Sequence, residues 1–222
     1  MKYNLVIFAG GLGSRLENTE DRPKPLVDIN GLTILSRIIL SFHKTKVFGH
    51  YHILTCDQSD LFPRFLNKEL PNIDFSIYAE NKRSGRIGAL KFFFESQDKI
   101  DSFFVCNGDT LFLNVNPNVL KEAIKKFSYK PIIFLAEADT SREDYKQIKI
   151  NSDNKDLPYQ NSGLFYISRR WFFDKLMENK NFSDIDDFLF DKKQPNLYSL
   201  LKTKILDGGT PARLSYIRGI IN

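Results

Sequence analysis

Only two cysteines occur in the 222 residues, Cys56 and Cys106, and each closes an apolar, strand-like segment. A pair so placed offers neither a disulfide framework nor a metal-ligand spacing, and reads as two buried free thiols in a reducing cytosol. The three histidines, His43, His50 and His52, have no partner pattern either, so packing or surface roles are expected of them. Long hydrophobic runs are missing. The longest apolar stretches, Ile34 to Phe42 and Ile132 to Ala136, are broken by polar residues or too short to cross a bilayer. The first residues carry one lysine and a strand-like run without a small-residue cleavage site, which does not read as a signal peptide. A cytoplasmic location and no membrane partner are therefore expected. Repeats, low-complexity tracts, linkers and hexapeptide β-helix arrays are also lacking, so one domain over 1–222 is the expectation. A basic stripe is missing as well. The net charge of +5 is spread among acids, as in Lys121-Glu122-Ala123-Ile124-Lys125-Lys126, which argues against a nucleic-acid partner. An anionic small molecule is enough to explain so modest an excess.

What is present is a rhythm of apolar strand-like and amphipathic helix-like stretches. Strands are predicted at Tyr3–Ala9, Tyr51–Thr55, Asp74–Ala79, Ser102–Cys106 and Pro131–Ala136. Helices are predicted at Thr33–Phe42, Ser59–Leu66, Gly88–Ser96 and Asn118–Phe127. The alternation implies an α/β fold, a mostly parallel sheet flanked by helices on both faces, with ligands beyond the carboxyl ends of the strands. The last third breaks the rhythm. Short strands at Lys146–Ile150 and Gly163–Ile167 precede helices at Arg169–Leu176 and Ser183–Phe190, the latter with Ser183 as its N-cap. Lys202–Leu206 reads as a final strand before a closing helix.

Two turns sit where such a fold keeps its ligand. Ala9-Gly10-Gly11-Leu12-Gly13-Ser14-Arg15-Leu16 follows the first strand, and Pro23-Lys24-Pro25-Leu26 comes soon after. Backbone N–H groups approach a polyphosphate only where side chains are missing, and the two cations balance its charge. The spacing fails the dinucleotide fingerprint, because the sixth place from Gly11 is Leu16 and the third from Gly10 is Leu12. It fails the P-loop too, since no Gly-Lys pair occurs in the chain. A purely structural glycine turn would need neither Arg15 nor the Pro-Lys-Pro segment. Asn107-Gly108-Asp109 and Asp207-Gly208-Gly209-Thr210-Pro211 each follow a predicted strand. Either aspartate alone reads equally as a turn residue; together they favour a hard divalent cation.

These four segments, in this order, resemble the motifs of the sugar-1-phosphate nucleotidyltransferases. The similarity runs over essentially the whole chain, and the D-glycero-D-manno-heptose 1-phosphate guanylyltransferases are the subgroup it most resembles. The resemblance implies the nucleotide-diphospho-sugar transferase type of Rossmann-like mixed sheet. It implies in-line attack of a sugar 1-phosphate (a heptose or hexose 1-phosphate) on the α-phosphorus of a nucleoside triphosphate, GTP in that subgroup, with pyrophosphate leaving. No covalent intermediate is needed, so catalysis is positioning and charge neutralisation. Arg15 is implied to neutralise the leaving pyrophosphate and Lys24 to bridge the α-phosphate and the sugar phosphate. Asp109 and Asp207 are implied as Mg2+ ligands. Ala9, Gly10, Gly11, Gly13, Ser14, Glu80, Gly85, Gly88 and Asn107 are implied to hold the nucleotide. Asn161 and Gly163 stand where the sugar phosphate binds, with Lys155 the one lysine placed to join them. A homodimer is compatible with the resemblance.

The chain also departs from the pattern. The base-reading loop usually resembles Leu-Gly-Thr-Gly-Gly, whereas here Ser84, Arg86 and Ile87 interrupt it. Arg86 either touches a phosphate or faces solvent, with solvent the simpler reading. Tyr145-Lys146 stands where Tyr-Gly is usual, and Lys155 reads equally as a turn residue. Two other functions stay open: a cytidylyltransferase acting on a non-sugar phosphate such as phosphocholine, and a non-catalytic nucleotide-binding module.

Overall fold

The computed structural model describes residues 2–11, 22–126, 130–137, 147–148, 159–178, 182, 184–189 and 197–221. Its centre is strand β1 (Tyr3–Phe8), whose Leu5, Val6 and Ile7 are all fully buried. A strand covered on both faces must be apolar at every position, which is why this run shows no alternation. β4 (Phe48–Thr55) and β6 (Ser102–Asn107) flank β1, both parallel to it, and β5 (Phe75–Ala79) extends the sheet beyond β4. Between them in sequence come a short β2–β3 hairpin (Asp28–Ile29, Leu32–Thr33) and helices α1 (Ile34–His43), α2 (Leu61–Glu69) and α3 (Gly85–Ser96).

After β6 the chain makes a tight turn into β7 (Thr110–Leu113), then α4 (Pro117–Lys126) and β8 (Ile132–Glu137). The two-residue β9 (Gln147–Ile148) leads to β10 (Tyr159–Ser168), followed by α5 (Arg169–Glu178) and the single-turn α6 (Ile185–Leu189). β11 (Leu197–Leu200), β12 (Lys204–Asp207) and α7 (Pro211–Ile220) close the chain. The main sheet runs β11-β8-β10-β6-β1-β4-β5. β10 is antiparallel to both β6 and β8, so the sheet is mixed as expected.

Alternation along β1 divides the core. Leu5 and Ile7 face one cluster with α1, α2 and Phe104, while Val6 faces another with Phe93, Phe103 and Trp171. Phe104 packs edge-on to Phe48 at 5.1 Å between ring centroids and tilted against Tyr166 at 4.8 Å. Such pairs hold neighbouring strands in register beyond what area burial alone supplies. Among the described residues no helix is long and apolar enough to cross a membrane.

Several sequence expectations need correction here. Cys106 is fully buried, but Cys56 is only partly so, because it stands past the end of β4, where the sheet's cover ends. Ser183 lies outside the described residues. Asp184 occupies the position before α6 instead, its Oδ1 accepting the Ile185 N–H at 2.6 Å.

His52 has a packing role with a measurable signature. Its ring is buried between Asn4 Oδ1 at 3.1 Å and the Tyr78 hydroxyl at 3.2 Å, with the His50 ring at 4.6 Å. Burial, and then the neighbouring His50, push its pKa down to about 3 from 6.5. The unfolded chain therefore takes up a proton near pH 6.5 that the folded chain refuses until about pH 3. Stability is complete above that window and falls through it as pH drops, by about 1.4 kcal/mol per pH unit from this group. Denaturant unfolding at pH 7 and pH 5 is expected to show a smaller acid loss in His52→Gln than in the wild type. An equal loss would place the acid sensitivity elsewhere.

Candidate active site

The Asn107-Gly108-Asp109 turn lies against the carboxyl end of β1. Gly108 N–H donates to the Phe8 carbonyl at 2.9 Å, and a Cβ on Gly108 would stand 2.4 Å from that same oxygen. No side chain fits there, so only glycine lets the turn reach the start of the glycine loop. Beyond the turn, β7 pairs antiparallel with β12, with Thr110 opposite Asp207. Gly208 N–H donates to the Asp109 carbonyl at 3.0 Å. This register brings Asp109 and Asp207, distant in sequence, to one corner beside β1.

Each carboxylate there is met by a cation. Pro23 enters with φ −54° and the Lys24–Leu26 turn that follows is 3-10 helical, which aims Lys24 inward. Its residue exposure is only 9%, and Nζ lies 2.5 Å from Asp109 Oδ2. On the other side Arg213, in the first turn of α7, donates from Nη1 to Asp207 Oδ2 at 2.6 Å. Thr210 caps that helix, its hydroxyl accepting the Arg213 N–H at 3.4 Å. Sequence reasoning missed Arg213; its place three residues after a threonine N-cap and six after Asp207 was the available signal.

Gly10 and Gly11 extend from β1 in this corner. Among the described residues a Cβ at Gly11 meets nothing within 4 Å, and one at Gly10 comes to 3.4 Å from the Thr55 and Cys56 backbone. Ala9 is buried, its N–H donating to the Leu54 carbonyl at 2.7 Å. Gly13, Ser14 and Arg15 lie outside the described residues, as do Tyr145, Lys146 and Lys155.

The loop before α3 forms the neighbouring wall. Glu80 is bound by its N–H to the Thr55 carbonyl at 2.9 Å, and its carboxylate accepts from Ser84 Oγ. Ser84 in turn lies over Gly88, where a Cβ would overlap it, and Gly85 opens the helix.

Arg86 does not face solvent, contrary to the sequence reading. Its Nε and Nη2 grip Asp184 at 2.8 and 2.6 Å, Nη2 also reaches Asp186 at 3.1 Å, and Nη1 donates to Asn107 Oδ1 at 3.2 Å. Burial opposes its charge, but the Asp184 hydrogen bonds and both carboxylates outweigh that and raise its pKa. Burial likewise pushes the Asp184 carboxyl up, and the Arg86 hydrogen bonds and charge outweigh it, holding it below the ordinary carboxylate range. Asn161 joins through Nδ2, which donates to Asp186 Oδ1 at 3.1 Å. Its Oδ1 accepts the Gly163 N–H at 2.9 Å. Gly163 has φ +72°, and a Cβ there would fall 2.6 Å from Asn107 Nδ2. The acidic pair was the signal passed over: an arginine in a small-residue loop needs a carboxylate partner, and Asp184 and Asp186 supply it.

Among the described residues no cluster of three His, Cys, Asp or Glu could hold a metal. Two hard carboxylates at one corner nevertheless fit magnesium, which commonly takes one or two and completes its shell with phosphate oxygens and water.

Comparison with known proteins identifies the family and the fold. Residues 5–181 match the MobA-like NTP transferase domain. A "bifunctional protein GlmU" from Methanococcus maripaludis (strain C5) is 28% identical over 154 residues, covering 68% of this chain and 33% of that protein. The chain thus spans about a third of the length of that curated relative. The crystal structure of HddC from Yersinia pseudotuberculosis superposes with TM-score 0.76 at 24% identity, covering 99% of this chain and 100% of that one. The inositol-1-phosphate CTP transferase from T. maritima gives TM-score 0.72 at 17% identity, covering 100% and 98%. The expected nucleotide-diphospho-sugar transferase fold is thereby borne out.

Proposed function

Since the chain belongs to the MobA-like NTP transferase domain family, we propose that it joins a nucleoside triphosphate to a sugar 1-phosphate, releasing pyrophosphate. The observation that carries this reading is the β7–β12 register, which pairs Thr110 with Asp207 and bonds Gly208 N–H to the Asp109 carbonyl beside the end of β1. Mg2+ held by these two carboxylates would neutralise triphosphate charge. The residues of the chain do the remainder. Gly10 and Gly11 leave their backbone open to phosphate oxygens, and among the described residues nothing lies within 4 Å of a Cβ at Gly11. Lys24, buried and held against Asp109, is a mobile point charge that turns to the reacting phosphate when that carboxylate is otherwise engaged. Arg15 is assigned the leaving pyrophosphate, and Glu80, Gly85, Gly88 and Asn107 the nucleotide. Asn161, Gly163 and Lys155 are assigned the acceptor end. GTP is the triphosphate we propose first, in line with the guanylyltransferase resemblance and with the HddC neighbour solved with GMP-PN.

The test is a pyrophosphate-release matrix of four triphosphates against heptose and hexose 1-phosphates and phosphocholine, with and without magnesium. Release with one triphosphate and a sugar 1-phosphate is expected. A parallel thermal-shift panel should show the same triphosphate raising stability, by about 2.7 kcal/mol at a hundredfold excess over its Kd. Stabilisation without release from any pair would identify a binding module instead. Preference for phosphocholine with CTP would identify a cytidylyltransferase.

A further inference from the structure

Arg86 is the side chain of this site that generic phosphate chemistry does not account for. A triphosphate-binding loop gains nothing from an arginine whose fork is spent on carboxylates. Two of its nitrogens hold Asp184, one of these also reaches Asp186, and the third holds Asn107. The contacts continue through Asp186 to Asn161, through Asn161 to Gly163, and back to Asn107, whose Nδ2 Gly163 leaves room for. They close a ring across α3, α6, β10 and the end of β6.

Each member of that ring is fixed in orientation by its neighbours. The Gly163 N–H demands the oxygen of Asn161, and the Asp186 carboxylate demands its nitrogen, so the amide cannot flip. Arg86 does the same for Asn107, two residues before Asp109. The backbone cooperates: β10 shifts register against β8 between Asn161 and Leu164, which leaves Ser162 and Gly163 out of the ladder directly after Asn161.

What the ring presents outward is a set of hydrogen-bond acceptors. Asp186 receives one bond on each oxygen, which leaves a lone pair on each, and its side chain is 46% exposed. Asp184 is 47% exposed. Two carboxylates against one guanidinium leave one negative charge, which disfavours a phosphate at this point and favours hydroxyl donors.

We infer that Arg86 is a positioning residue for the acceptor: it holds Asp186 and Asn161 in one arrangement that reads the hydroxyls of a neutral polyol. This rests on the reading of the protein as a nucleotidyltransferase and names the part of the substrate that the phosphate-binding corner leaves unspecified. Lysine at this position keeps the charge but not the fork, so it cannot hold Asp184, Asp186 and Asn107 together.

The experiment compares wild type, Arg86→Lys and Asp186→Asn in pyrophosphate release, with KM taken separately for triphosphate and acceptor. The acceptors are epimeric sugar 1-phosphates and phosphocholine. Wild type is expected to prefer a sugar 1-phosphate. In Arg86→Lys the acceptor KM should rise on the order of ten- to a hundredfold and discrimination between epimers should shrink comparably, as for a lost charged hydrogen bond. In Asp186→Asn, which alters a carboxylate that bonds Arg86 and Asn161 but not Asn107, the triphosphate KM should stay within about twofold. If Arg86→Lys does not fold, Asp186→Asn carries the same expectation. Equal changes in both KM values, or none in the acceptor's, would overturn the inference while leaving the reaction class intact. A wild-type preference for phosphocholine would overturn it too. A wild type that releases no pyrophosphate with any pair overturns the reaction class and the inference together.

Discussion

Asp109→Asn and Asp207→Asn are each expected to cut magnesium-dependent pyrophosphate release by about a thousandfold or more, the scale of losing charge stabilisation at a phosphoryl centre. Asparagine keeps the shape and one acceptor oxygen but removes the negative charge, and a hard cation loses half its protein ligand set. The two variants should differ in a second respect. Asp109→Asn leaves Lys24, which is nine-tenths buried, without its counter-charge. Asp207→Asn takes one carboxylate from Arg213, whose side chain is 23% exposed. Because the Asp109 side chain is one-third exposed, solvent screens its pair, and only a small change in stability is expected there. Thermal unfolding near the wild-type temperature, with release abolished, is the predicted outcome. Near-native release from either variant would sink the metal assignment.

Gly108→Ala is expected to act the other way, on the fold first. The added methyl would stand 2.4 Å from the Phe8 carbonyl oxygen, and that oxygen belongs to the central strand of the sheet. A flexible side chain could move aside; a strand bonded on both edges cannot. Relief requires the turn to swing away, which breaks the Gly108 N–H to Phe8 bond and tilts Asp109 out of its corner. A loss of about 2–4 kcal/mol is predicted from overpacking plus a broken buried hydrogen bond. Denaturant unfolding measures it, and release should fall even in the folded fraction. An alanine variant of unchanged stability and rate would show that the turn is not held as tightly as its contacts imply.

How much of this was legible in advance follows the distance between partners. β1, β4, β6 and β8 were read within a few residues of their observed bounds, because their mostly buried residues write apolar runs; β5, an edge strand, was read from its Phe, Ile and Tyr. The antiparallel direction of β10 was not legible, since direction is a property of the path between strands rather than of the strand itself. β7 was missed altogether. Its four residues follow a turn signal directly, and their partner β12 lies near the other end of the chain. At the site, Lys24, Asp109 and Asp207 carried local signals, namely prolines and glycines that only a turn explains. Arg86 carried the opposite signal, and its carboxylates before and in α6 are 98 and 100 residues away. No local pattern connects them, so the solvent reading failed for a physical reason.

The same β7–β12 pairing has a consequence for how the molecule is completed. One carboxylate of the corner is contributed before α4 and the other after β11. A contiguous fragment owns both only if it runs from before β7 through β12. On the proposed metal assignment, pyrophosphate release is therefore a report on docking of β12, and two polypeptides divided between α4 and β8 are each expected to be inert. Mixing such halves would restore release only as fast as β12 finds β7, which makes the corner a clock for that pairing.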